Sequence, residues 1–107
     1  DLVICSNVLE HVPYPAELIV EIKNTMGKDT VLYVEVPYED IVRETSTDQN
    51  WHLKKKHWHE HINFYTEKAL LSMLNLCGLD MIATRQLNAS AGGSSKFLFQ
   101  VACKIKN

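Results

Sequence analysis

Three of the five histidines fall within five residues, in His57-Trp58-His59-Glu60-His61, and the run continues as Ile62-Asn63-Phe64-Tyr65-Thr66. An extended backbone would turn His57, His59 and His61 to one side and Trp58 and Glu60 to the other. Imidazoles at that spacing can give two ligands to one metal ion. They can also offer a base whose pKa lies near working pH, or simply decorate a solvated loop. The local sequence leaves all three open. A second polar constellation, Ser6-Asn7-Val8-Leu9-Glu10-His11, sets a hydroxyl, an amide, a carboxylate and an imidazole behind an apolar run. The three cysteines, Cys5, Cys77 and Cys103, are far apart and form no CxxC pair. Cysteine spacing therefore argues against a thiolate zinc site and for buried thiols in a reducing, cytoplasmic setting.

The elements that must position these groups follow from periodicity. Residues 1–5 (DLVIC) form a short apolar run, as expected for a strand covered on both faces. Residues 15–26 repeat Leu18, Ile19, Ile22 and Met26 at helical spacing, with Pro15 in the first turn and Gly27 at the end. Residues 30–36 (TVLYVEV) are β-branched and aromatic, and predict a second strand stopped by Pro37. Residues 38–61 are polar and charged, a long stretch of the kind that is usually functional or mobile. Thr66 is placed to cap a helix whose apolar face is Leu70, Leu71, Met73, Leu74 and Cys77, with Gly78 ending it. Residues 79–87 and 96–104 predict two more strands, joined by a loop at 88–95, and so an antiparallel hairpin. The order is β-α-β-long loop-α-β-β. Phe64, Phe97 and Phe99 are expected in the core.

The bulk numbers suit one small domain. The chain has 107 residues, 46% hydrophobic and 22% charged, enough for one modest core. Its formal charge of -2 argues against a bulk nucleic-acid or membrane-surface binder. The short run Lys54-Lys55-Lys56 is read as a solvated loop face. No apolar run approaches the 18 or so residues that span a bilayer.

These words in this order resemble a class I S-adenosylmethionine-dependent methyltransferase. The phrases that carry the resemblance are DLVICSNVLEHVPYPAELIVEI (1–22), VLYVEVP (31–37) and HINFYTEKALLSMLNLCGLDMI (61–82). The resemblance implies an α/β fold, the C-terminal half of a Rossmann-like methyltransferase sheet. Parallel strands would end in a final antiparallel strand, with helices packed on the sheet. The family's GxGxG cofactor loop and ribose-binding acid are absent from these residues. The chain, which opens directly on a strand-like run, is therefore expected to be residues 1–107 of a partial, truncated domain, inactive alone. Its first strand would be an exposed edge through which a homodimer could form. HWHEHINFYT resembles, more narrowly, a phrase of sugar C-methyltransferases acting on nucleotide-linked keto-sugars, with Trp58 where those have tyrosine.

From the resemblance, the cofactor is S-adenosylmethionine, with the Ser6–Asn7 backbone beside its methionyl part. The acceptor is a small molecule, a nucleotide-sugar or related metabolite. His59 or His61 would be the base, with Glu60 orienting an imidazole or binding a sugar hydroxyl. Glu10, His11, Tyr38, Trp58 and Tyr65 would contact substrate. For Glu10 and His11 the rival role is to hydrogen-bond each other and the loop, and for Tyr38, Trp51 and Trp58 it is to anchor the loop to the core. Some O-methyltransferases of this fold bind a divalent cation through E-x-x-E-H. Here Asn7 replaces the first carboxylate, and no metal is assigned. The rival classes are a non-catalytic binding module, a metal-dependent O-methyltransferase using Glu10, His11 and the histidine cluster, and a metal-dependent hydrolase using the histidines.

Overall fold

The computed structural model describes residues 1–43, 60–91 and 94–107. Three elements come in β-α-β order: β1 (Leu2–Ser6), α1 (Pro15–Asn24) and β2 (Val31–Pro37). A four-residue helix α2 (Asp40–Arg43) follows, then α3 (Glu67–Leu76), β3 (Leu79–Ala91) and β4 (Ser94–Ile105). His57, His59, Trp51, Trp58 and the lysine run lie outside the described residues.

The four strands form one sheet in the order β1-β2-β4-β3. β1 and β2 are parallel, as a helical crossover requires. β4 runs antiparallel to both neighbours and lies between β2 and β3. The last strand is thus antiparallel, as expected, but inserted rather than appended. Several boundaries move. Pro37 is the last residue of β2, opposite Leu98, instead of stopping the strand before it. β3 runs on through Ala91 and β4 starts at Ser94, because residues 88–90 pair across the hairpin with 95–97. The polar, small residues there read as a loop locally and become strand only through that pairing.

Alternation along the strands fills one sheet face. Leu32, Val34 and Val36 are fully buried, opposite Cys103, Val101 and Phe99 of β4. They join Ile19 of α1 and Leu70 and Leu74 of α3 in a single core. All three cysteines are buried and reduced, and burial pushes the Cys103 thiol up to about 11. Of the phenylalanines, Phe99 is core, whereas Phe97 is half-buried with the Arg43 guanidinium 3.8 Å above its ring.

The opposite face is more open. Leu2 and Ile4 on the edge strand β1 are 62% and 64% exposed. Beside them a polar ladder crosses the sheet. Glu35 accepts from Ser6 Oγ at 3.2 Å, Tyr33 OH at 2.6 Å and Gln100 Nε2 at 2.9 Å. Gln100 Oε1 in turn accepts from Arg85 Nε at 2.9 Å. The Tyr33 hydroxyl, ahead of the other donors, holds the Glu35 carboxyl below its ordinary range.

Helix ends follow local chemistry. Thr66 accepts from Ala69 N through its hydroxyl, the expected cap. Gly78, just past α3, has φ +92°, a conformation that favours glycine. Among the described residues no helix is long and apolar enough to cross a membrane.

Candidate functional site

β1 ends at Ser6, and the chain turns at once. Asn7 adopts φ 57°, in the left-handed region that asparagine tolerates better than most residues. Its N–H donates to the Glu35 carbonyl on β2. The Ser6 hydroxyl is committed to the Glu35 carboxylate, so what Ser6–Asn7 can offer a ligand is mostly backbone and the exposed Asn7 amide.

The turn continues with His11 N donating to the Val8 carbonyl. It buries Leu9 and Glu10, leaving them 0% and 1% exposed. Residues 60–65 hold the backbone of this turn in place. Ile62 N and Asn63 N both donate to the Glu10 carbonyl, at 2.8 and 3.1 Å. Asn63 Nδ2 donates to the Leu9 and Val12 carbonyls, at 2.9 and 2.5 Å. Tyr65 OH donates to the same Leu9 carbonyl at 3.0 Å. The segment is a strap across the turn rather than a strand, since residues 61–66 have no regular structure.

The strap delivers His61 to Glu10 and His11. The His11 and His61 rings meet edge to face with centroids 4.7 Å apart. His11 Nδ1 lies 2.6 Å from the Glu60 carbonyl, which can only accept, so that nitrogen carries the proton. His11 Nε2 then faces Glu10 Oε1 at 3.4 Å. His61 Nδ1 donates to Glu39 Oε1 at 3.0 Å, with both side chains largely buried. Glu39 stands two residues past the end of β2. The outcome is two carboxylates and two imidazoles at the carboxyl ends of the parallel pair, where open α/β sheets bind their ligands. Desolvation pushes the Glu10 carboxyl above its ordinary range, partly offset by its own backbone N–H and by His11 and His61.

Of the residues singled out from sequence, Glu10, His11 and His61 converge here. Glu60 enters through its backbone carbonyl, which orients the His11 ring. Tyr65 is 7% exposed and holds the turn that carries Glu10 and His11. Burial, ahead of the nearby Glu10 charge, pushes its hydroxyl up to about 12. Tyr38 stacks on Phe99, with centroids 4.3 Å apart, and its N–H bonds the Phe97 carbonyl, which anchors the start of the long connection. His59 and Trp58 lie outside the described residues. Sequence reasoning missed Glu39 and Asn63. The signal for Glu39 was an acid just past a strand's carboxyl end. For Asn63 it was an amide set between two apolar residues in the strap.

A family model described as "Methyltransferase domain" matches residues 1–84. The chain belongs to this methyltransferase family. Solved structures agree on the fold. A Bacillus halodurans C-125 protein proposed to be a methyltransferase superposes with a TM-score of 0.73 at 10% identity. A SAM-dependent methyltransferase of Methanosarcina mazei gives 0.71 at 17% identity. Each match covers 99% of this chain but only 64% and 59% of the respective partner. No curated protein matches the chain. The mixed sheet with its inserted antiparallel strand is thus the Rossmann-like methyltransferase sheet, and the Glu10–His11–Glu39–His61 cluster lies at the carboxyl ends of its parallel pair.

Proposed function

We propose that the protein transfers a methyl group from S-adenosylmethionine to a small-molecule acceptor, and that the Glu10–His11–Glu39–His61 cluster is the acceptor end of its active site. The observation that carries this reading is the His61–Glu39 pair at the carboxyl edge of β1 and β2 in a chain of the methyltransferase family. In the reaction an acceptor oxygen or carbanion attacks the sulfonium methyl in line. The sulfur keeps the electron pair of the broken C–S bond and leaves as a neutral thioether. One acceptor proton must go elsewhere. His61 takes it, and the Glu39 carboxylate on Nδ1 holds the ring and stabilises the imidazolium that results. The exposed Asn7 and the backbone after β1 face the cofactor side, while Tyr38 borders the acceptor side. The resemblance of residues 57–66 to sugar C-methyltransferases favours a nucleotide-linked sugar as acceptor.

The test uses the full-length protein that carries this chain, with radiolabelled S-adenosylmethionine and a panel of nucleotide-linked keto-sugars and hydroxylated metabolites. Turnover on one of them is expected, and His61→Gln should lower kcat by about 10²–10⁴-fold with the cofactor Kd unchanged. No cofactor binding by the folded full-length protein would overturn the methyl-transfer reading. Unchanged kcat in His61→Gln would remove the base.

A further inference from the structure

Counting protons in the cluster leaves one atom of Glu10 without a task. Glu10 is 1% exposed, and its Oε2 has no hydrogen-bond partner among the described residues. A buried carboxylate oxygen is seldom left bare, so such an atom usually answers to a ligand. Its other oxygen is occupied. His11 Nδ1 carries a proton for the Glu60 carbonyl, and His11 Nε2 stands 3.4 Å from Glu10 Oε1. A bare ring nitrogen and a bare carboxylate oxygen would repel each other there, so one proton lies between them. The Glu10–His11 pair is therefore neutral as a unit, whichever partner holds that proton. Oε2 remains an acceptor, and the charge it would show a ligand is already matched. Such an atom suits a neutral donor, a hydroxyl, better than an ammonium ion.

We propose that Glu10 Oε2 accepts a hydrogen bond from a hydroxyl of the methyl acceptor, on the carbon next to the position that reacts at His61. Glu10 is then a specificity-determining residue, and the acceptor class is a vicinally hydroxylated compound. The spacing supports neighbouring positions. One carboxylate oxygen of Glu10 and one ring nitrogen each of His11 and His61 lie within 4.8 Å of one another. Hydrogen bonds of about 2.8 Å to two acceptors that close converge on adjacent groups of one molecule. Hydroxyls on opposite sides of a ring point apart and do not meet both. The cluster reaches solvent at His11, whose side chain is 40% exposed, so a ligand can enter on that side. Glu39 Oε2 also lacks a partner among the described residues, and offers a second bare acceptor to a ligand with a further hydroxyl. A sugar ring carries such hydroxyls in series, and a catechol carries one pair. An analogue without the hydroxyl leaves Oε2 buried and bare, and sites built to bond a hydroxyl reject such analogues by up to about 10⁴–10⁵-fold. Naming the ligand as the methyl acceptor rests on the methyl-transfer reading with His61 as base; the hydroxyl-binding duty of Glu10 does not.

The experiment uses the folded full-length protein that carries this chain, with no methyl donor present. The ring signals of His11 and His61 in nuclear magnetic resonance report the binding of five probes. These are cis-cyclohexane-1,2-diol, catechol, trans-cyclohexane-1,4-diol, cyclohexanol and cyclohexylammonium. Saturable shifts are expected with a 1,2-diol, at an affinity about 10-fold or more above that of the last three. Preference for the cyclohexane pair over catechol assigns a sugar-type acceptor, and the reverse assigns an aromatic one. Glu10→Met removes the bare oxygen at similar side-chain length and should bind all the neutral probes alike. If that variant fails to fold, the probe series on the unsubstituted protein still decides. No saturable shift with either 1,2-diol, equal affinity for the 1,4-diol or cyclohexanol, tighter binding of cyclohexylammonium, or a 1,2-diol preference kept in folded Glu10→Met would each overturn the proposal. A protein that binds the 1,2-diol and methylates no acceptor sinks the methyl-transfer reading alone. One that methylates acceptors with and without the neighbouring hydroxyl at equal kcat/KM sinks this proposal alone.

Discussion

The Leu9 carbonyl offers a direct measure of how tightly the strap holds the site. Leu9 is 0% exposed, and its carbonyl accepts from two side chains of the strap, Asn63 Nδ2 at 2.9 Å and Tyr65 OH at 3.0 Å. Tyr65→Phe removes one donor but leaves the acceptor satisfied by Asn63, so it should cost about 1 kcal/mol. Asn63→Ala removes the other donor and the bond to the Val12 carbonyl, and should cost about 1–2 kcal/mol. The double variant differs in kind. It leaves the buried carbonyl with no donor, and the desolvation penalty of about 1–3 kcal/mol then appears in full. The double variant should therefore lose about 1–2 kcal/mol more than the sum of the single losses. Urea denaturation followed by circular dichroism measures all four corners of the cycle, with unchanged m-values required for the comparison. If the double loss equals the sum within about 0.5 kcal/mol, the two donors do not share one buried acceptor, and this account of the strap is wrong.

Two further outcomes follow from the described geometry. Burial raises the Tyr65 and Tyr33 hydroxyls to about 12, while an unfolded tyrosine titrates near 10. Their contribution to stability is fully present below pH 10 and is lost as pH rises towards 12. Urea midpoints should fall across that window and fall less steeply in Tyr65→Phe; a parallel decline in both proteins would mean that Tyr65 does not titrate on unfolding. Gly78→Ala places a Cβ at φ +92°, 2.8 Å from Lys23 Nζ. The lysine end can move but the backbone cannot, so a loss of about 1–2 kcal/mol is expected. Gly27→Ala, whose Cβ would meet Thr30 Oγ1 at 3.6 Å, should melt close to the unsubstituted temperature.

Local chemistry was legible, and long-range partnership was not. Thr66 and Gly78 mark the ends of α3 because a cap is decided by residues within one turn. The buried faces of α1 and α3 follow from a period of 3.6, and that of β2 from a period of two. The place of β4 between β2 and β3 follows from neither, because alternation fixes which face a strand presents and not which strand lies beside it. The same limit hid the strands within residues 88–95. Ser90 opposite Ser95 and Asn88 opposite Phe97 are strand pairs only by virtue of each other.

The site shows the division most clearly. Glu10 and His11 could be suspected from their place behind an apolar strand, and His61 from its company. What each does depends on partners far away in the chain. His11 is oriented by a carbonyl 49 residues on, and His61 by a carboxylate 22 residues back. The histidine run invited a reading by count and alternation, in which Glu60 faces away from the imidazoles. Folding uses the run differently. The Glu60 carbonyl orients His11, and the next amides, of Ile62 and Asn63, pin the turn that buries Glu10. Part of the chemistry of the stretch therefore lies in its backbone, which has no letter in a sequence. The cluster is complete only with residues 60–65 bonded to the turn after β1 and with Glu39 at the end of β2. A substitution that loosens the strap should thus separate Glu10 and His11 from His61 while the rest of the sheet stays intact.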